Sequence, residues 1–183
     1  MRLFAAIKLS EAAQDHLANT LALVSPPPAG RGQSRYPWVP GHNWHITLAF
    51  FGEQPNGIVD QLTAHLRAAA SSTPPFDLAL SEAGVFRHEV CWIGVRDRTG
   101  ALGPLAEKVR QGYAGGDQHT RNKFHVTISR SKQRPDLQDA MSVLSVYRGP
   151  AWTVRQLSLF RSDLGEGVGG HPLYTELEEI RLG

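Results

Sequence analysis

His45-Ile46-Thr47-Leu48-Ala49-Phe50 and His125-Val126-Thr127-Ile128-Ser129-Arg130 are two copies of one six-residue pattern, set 80 residues apart in a chain of 183. Each alternates a polar or small residue with an aliphatic one, the period-2 mark of a strand with one face buried. His and Thr therefore leave each strand on one side, opposite Ile46 and Leu48 or Val126 and Ile128. Two such strands side by side place two imidazoles and two hydroxyls around one small cavity. One neutral and one protonated imidazole can act as base and acid near neutral pH. Two threonine hydroxyls can donate to an anion held between them. Strict alternation puts Arg130 on the face away from His125, unless the strand ends or twists there.

Working outward, Leu3 to Lys8 reads as a strand. Ser10 reads as the N-cap of a helix from Glu11 to about Val24, stopped by Pro26-Pro27-Pro28. Gly30 to Tyr36 is a polar loop that leads toward the first His strand, Trp44 to Phe51. Asn56 is read as the cap of a helix to about Ala70, with Val59, Leu62 and Leu66 as its apolar stripe. Phe76–Leu80 and Glu89–Val95 read as strands. The order then repeats: a helix from about Ala101 to Tyr113, a Gly-rich loop from Gly115 to Lys123, the second His strand, and a helix from Pro135 or Asp136 to about Tyr147. Two strands follow, near Ala151–Phe160 and Leu173–Leu182. This is an internal duplication at the level of architecture. The expectation is an α+β fold of two pseudo-symmetric lobes forming one domain over 1–183, with antiparallel sheets facing across a central cleft and helices outside.

Composition sets bounds. Hydrophobic content of 41% and charged content of 20% fit a globular protein with a proper core. The formal charge is only +2, so contact with nucleic acid must come from a local patch. The single cysteine, Cys91, excludes an internal disulfide and reads as a buried structural thiol in the run Val90-Cys91-Trp92-Ile93. The start Met1-Arg2-Leu3-Phe4 reaches Lys8 too soon for a signal peptide or a membrane span. A cytoplasmic location, no membrane association and a monomer without an obligate protein partner are expected.

A cyclic phosphodiester fits the chemistry of the pair. One neutral His takes a proton from water as it attacks phosphorus, and the other gives a proton to the departing ribose oxygen. Thr47 and Thr127 donate to the non-bridging oxygens, where charge grows in the transition state. The strained ring and the paired imidazoles make a metal or other cofactor unnecessary, and HxT lacks the three or four convergent ligands of a zinc site. A lone His on a strand is more often a hydrogen-bonded structural residue. Two copies at equivalent places of a duplicated architecture carry the functional reading.

His45 to Glu53 and His125 to Arg130 resemble the two signatures of the two-histidine (2H) phosphoesterase superfamily. Arg2-Leu3-Phe4-Ala5-Ala6-Ile7 and Phe86-Arg87…Trp92-Ile93-Gly94-Val95 resemble its bacterial and archaeal branch, the RNA 2′,3′-cyclic phosphodiesterases, also called 2′-5′ RNA ligases. The resemblance covers essentially the whole chain. It implies His45 and His125 as the catalytic pair, with His45 as the acid for the leaving O3′ and His125 as the base for water. It implies Thr47 and Thr127 as phosphate-binding residues and Arg130 as a contact near the phosphate. The implied partner is RNA with a 2′,3′-cyclic phosphate end. The implied reaction leaves a 2′-phosphate, and its reverse joins a 5′-hydroxyl in 2′-5′ linkage without ATP. Phe124 stands where the family commonly has proline.

Other candidates are Arg31, Arg35, Arg121 and Lys123, in the loops entering the His strands, for RNA phosphates. Tyr36, Trp38, Phe4 and Phe124 are candidates for stacking on a base. Two rival functions stay open: a phosphodiesterase for a small cyclic nucleotide or 2′-5′ oligoadenylate, and a binding module for nucleotides or RNA ends without turnover.

Overall fold

The structure, a computed structural model, describes residues 1–24, 36–87, 89–113, 123–130 and 137–183. Eight strands and four α-helices follow in the order β1 (Arg2–Lys8), α1 (Glu11–Val24), β2 (His45–Glu53), α2 (Val59–Ser71), β3 (Phe76–Phe86), β4 (Val90–Asp97), α3 (Leu102–Arg110), β5 (His125–Arg130), α4 (Leu137–Leu144), β6 (Arg148–Val154), β7 (Gln156–Asp163) and β8 (Leu173–Arg181). They form two four-stranded sheets of matching layout, β2-β1-β7-β8 and β5-β4-β3-β6. All pairings are antiparallel. The two His strands are therefore the first strands of their sheets. The expected α+β fold with two antiparallel sheets holds.

Alternation decides which face of each strand is dry. In β1, Leu3, Ala5 and Ile7 enter the main core, while Phe4 and Ala6 belong to a separate small cluster on the other face. The main core continues through Ile46 and Leu48 of β2, Leu78 and Leu80 of β3, and Val126 and Ile128 of β5. Helices cover it with Leu17 and Leu21 of α1, Leu62 and Leu66 of α2, Leu102 and Val109 of α3, and Leu144 of α4. Fully burying each such side chain stabilises the fold by roughly 1.5–3 kcal/mol. Cys91 lies in this core, and burial pushes its thiol pKa up, as fits a structural residue.

Three local readings are corrected. Residues 151–160 are not one strand. The chain passes from β6 in one sheet to β7 in the other at Arg155. No Gly, Pro or Asn marks that break, so the apolar run hides it. The helix expected from Asn56 starts later, at Val59, and makes no side-chain cap hydrogen bond. Asn56 and Gly57 form a turn instead, with Gly57 at φ +102°. The strand expected over Phe76–Leu80 runs on to Phe86, bent where Glu82 takes φ 61°. Ser10 does cap α1, its Oγ accepting from the Ala13 N–H at 3.2 Å.

Candidate active site

β2 and β5 come together where the two sheets meet. His45 and Thr47 lie opposite Lys8 and Ala6 of β1. His125 and Thr127 lie opposite Gly94 and Trp92 of β4. In each strand these two side chains leave the face that Ile46 and Leu48, or Val126 and Ile128, do not use. The structure thus brings together the four residues singled out in the sequence.

Both imidazoles are fixed in the same way. His45 Nδ1 donates to the Asn43 carbonyl at 2.8 Å, and His125 Nδ1 donates to the Lys123 carbonyl at 2.7 Å. A carbonyl can only accept, so each neutral ring carries its proton on Nδ1 and its lone pair on Nε2. Asn43 is itself anchored, since its Nδ2 donates to the Pro172 carbonyl at 3.0 Å.

Aromatic rings pack on both histidines. The His45 ring lies 4.9 Å from Phe4 and 5.2 Å, edge-on, from Tyr174. The His125 ring lies 5.0 Å from Phe86 and 6.3 Å from Trp92. Trp92 lies flat on Gly84, where an added Cβ would stand 2.1 Å from its ring. Lys123 Nζ sits over Trp92 at 4.2 Å, a cation–π contact.

These surroundings set the charge state. Burial lowers the His45 pKa to about 4, against a rise from the Asn43 hydrogen bond, with Arg130 and His125 adding positive charge nearby. Burial also lowers His125, again opposed by its carbonyl partner and assisted by Arg130. Tyr174 is raised by burial, with Arg130 and Arg2 close enough to pull it down in part. The site therefore holds neutral imidazoles beside the Arg130 guanidinium.

Arg130 faces the site because β5 does not alternate strictly. Cys91 pairs with Ser129 and Trp92 with Thr127, so Ile128 is an extra residue, a β-bulge. Ile128 and Ser129 are both buried, and Arg130 turns back to the side of His125. β2 does the same. Ala5 pairs with Ala49 and Ala6 with Thr47, so Leu48 is the extra residue and Phe50 turns to the side of His45. The carbonyl of each bulged residue is bonded from elsewhere in the chain: Leu48 O accepts from Arg110 Nε at 2.8 Å, and Ile128 O accepts from the Val39 N–H at 2.8 Å.

Of the weaker candidates, Lys123 and Phe124 lie beside the site, Phe124 partly buried against the core. Arg31, Arg35 and Arg121 lie outside the described residues. Tyr36 is buried and packs edge-on against Trp38 at 5.3 Å, and Trp38 bridges to Ser129 on β5. Sequence reasoning missed Asn43, Tyr174 and the contact of Phe86 with His125. Tyr174 is 129 residues from His45, and nothing local announces it.

Two half-sites of this kind, each offering an oriented imidazole and a threonine on one strand face, make up the arrangement of a two-histidine phosphoesterase. Residues 9–166 match the 2′-5′ RNA ligase superfamily, and the chain belongs to it. A curated relative from Thermus thermophilus, named RNA 2′,3′-cyclic phosphodiesterase, is 32% identical over 194 aligned positions, spanning all of this chain and 90% of the relative. One of the same name from Methanothermobacter thermautotrophicus is 27% identical, over all of this chain and 99% of its own length. Among solved structures, a Thermus thermophilus protein matches with a TM-score of 0.76 at 28% identity, covering 100% and 98% of the two chains. Escherichia coli LigT complexed with 3′-AMP matches with a TM-score of 0.74 at 26% identity, covering 99% and 97%.

Among the described residues no group of three or more His, Cys, Asp or Glu is placed to hold a metal ion, and no helix is long and apolar enough to cross a membrane.

Proposed function

We propose that this protein hydrolyses the 2′,3′-cyclic phosphate at an RNA 3′ end and leaves a 2′-phosphate. The observation that carries the reading is the matched anchoring of His45 and His125 through Nδ1, each on the same strand face as a threonine. The relatives' names point to the same reaction.

The mechanism follows from the parts. The cyclic phosphate lies between the strands, its non-bridging oxygens accepting from Thr47 and Thr127 and facing Arg130. His125 Nε2 takes a proton from water as the water oxygen bonds to phosphorus. The P–O3′ bond breaks on the opposite side, and His45 gives a proton to O3′. In the free protein burial holds His45 neutral. The bound phosphate places a negative charge beside it, which favours the imidazolium and loads the acid on binding. No metal or organic cofactor enters this scheme. With a 5′-hydroxyl in place of water, the same steps join it to the cyclic phosphate in 2′-5′ linkage, while bulk water favours hydrolysis. Both half-sites come from one chain, so we propose that residues 1–183 work as one unit without a partner subunit.

The test is turnover of an oligoribonucleotide ending in a 2′,3′-cyclic phosphate, compared with a cyclic mononucleotide. Turnover of the oligonucleotide supports the proposal. Binding without turnover would favour the binding module, and better turnover of the mononucleotide would favour the small-nucleotide enzyme.

A further inference from the structure

The residue paired with each histidine on the neighbouring strand differs between the lobes. His125 lies opposite Gly94 of β4, and His45 lies opposite Lys8 of β1. Lys8 follows Phe4 and Ala6 by alternation, so it leaves β1 on the face that His45 and Thr47 use on β2. Side chains directly opposite on antiparallel strands have Cβ atoms about 5 Å apart. The first lobe therefore starts a cationic side chain beside the histidine read as the acid, and the second lobe has no side chain at that place.

Two carboxylates take up that cation. Lys8 Nζ lies 2.8 Å from Glu176 Oε1 and 3.1 Å from Glu179 Oε2. Both glutamates belong to β8. They pair with Phe160 and Ser158 of β7, which in turn pair with Phe4 and Ala6 of β1, so all of these share one sheet face. In the order β2-β1-β7-β8, β2 and β8 lie on opposite sides of β1. The Lys8 side chain thus crosses β7 and points away from the strand of His45. Burial disfavours its ammonium, but the bonds to Glu176 and Glu179 hold its pKa above the ordinary value, so it is charged wherever a histidine titrates. Such a charge next to His45 would oppose formation of the imidazolium. Arg130 and His125 of β5 already do so. Tyr174 of β8 packs edge-on against His45, with Arg2 of β1 close to it.

We propose that Glu176 and Glu179 are positioning residues, which hold the Lys8 ammonium across the sheet from His45 so that a further cation does not stand against protonation of the acid. The acid role of His45 comes from the phosphodiesterase reading, on which this inference rests. It gives a reason for two carboxylates on a sheet face that serves an anion. They act on the lysine and not on the substrate.

The test is NMR titration of the His45 ring in the intact protein saturated with inorganic phosphate. Glu176→Gln and Glu179→Gln together free the lysine with little change of shape, since both side chains are partly exposed. The His45 midpoint should then fall by roughly half a pH unit or more, the effect of a like charge a few ångströms away in a partly solvated site. Adding Lys8→Met to that pair should return the midpoint close to its wild-type value. Lys8→Met alone should bind phosphate as the wild type does. A midpoint unmoved by the glutamate pair would overturn the positioning role. So would one that stays low after Lys8→Met, because the carboxylates would then act on His45 directly. Phosphate affinity lost in Lys8→Met alone would overturn it as well, by placing the ammonium on the ligand. The titration needs no turnover, so absent turnover with this pattern intact would count against the phosphodiesterase reading alone.

Discussion

His45 and His125 are held by one contact used twice: each Nδ1 donates to the backbone carbonyl two residues earlier, at 2.8 and 2.7 Å. A backbone acceptor fixes the tautomer without adding a carboxylate charge, so both rings stay free to change protonation during a reaction. The two rings should act as a unit. His45→Ala and His125→Ala should each lower turnover of a cyclic-phosphate substrate by roughly 100-fold or more. The double variant should be little worse than either single one. Losses that multiply in the double variant would show that the histidines act independently.

The order of roles is tested by the leaving group. Replacing O3′ by sulfur, which leaves without a proton, relieves the need for an acid. His45→Ala should regain most of its lost rate on that substrate, and His125→Ala should not. The reverse pattern would exchange the roles of the two histidines.

The charge state of His45 has a consequence for stability. In the unfolded chain His45 takes up a proton near pH 6.5, and in the folded protein only near pH 4. Between those values the unfolded state binds more protons, so stability falls as pH falls through that window and levels off below it. The effect is on the order of 3 kcal/mol, and His125 acts in the same direction. His45→Gln should flatten the fall in melting temperature between pH 6.5 and 4. In the wild type, the His45 ring should titrate well below ordinary histidine by NMR, and inorganic phosphate should raise its midpoint.

Gly84 lets Trp92 lie flat beside His125, since any Cβ there would meet the indole at 2.1 Å. Gly84→Ala should displace Trp92 and cost about 1–3 kcal/mol in thermal unfolding, as overpacked sites do. Its kcat should drop along with its stability, because the displaced ring packs on His125. A variant with wild-type melting and wild-type kcat would contradict this packing.

Much of this was legible in the sequence. Alternation in the two motifs placed His and Thr on one face, and the repeated order of elements predicted two matching sheets. Alternation failed where a bulge intervened. Leu48-Ala49 and Ile128-Ser129 are each a buried pair in succession, and the small second residue is the only trace of the bulge. This is why Arg130 reads as facing away yet faces the site. The crossing at Arg155 escaped because the chain changes sheets without a turn residue. Asn43 acts through its carbonyl and its anchoring, which its identity does not reveal. Phe4 and Tyr174 meet at His45 only because β8 folds back beside β7, itself paired with β1.

Opening of a 2′,3′-cyclic phosphate toward O3′ by two histidines, without a metal, leaves a distinct product. The most direct measurement is the phosphorus NMR spectrum of an oligoribonucleotide ending in 2′,3′-cyclic phosphate, followed with the protein in excess EDTA. The cyclic resonance should disappear and a single 2′-phosphomonoester should grow in, at the same rate with and without chelator. A 3′-phosphomonoester product, or a rate lost to EDTA and restored by a divalent ion, would contradict it.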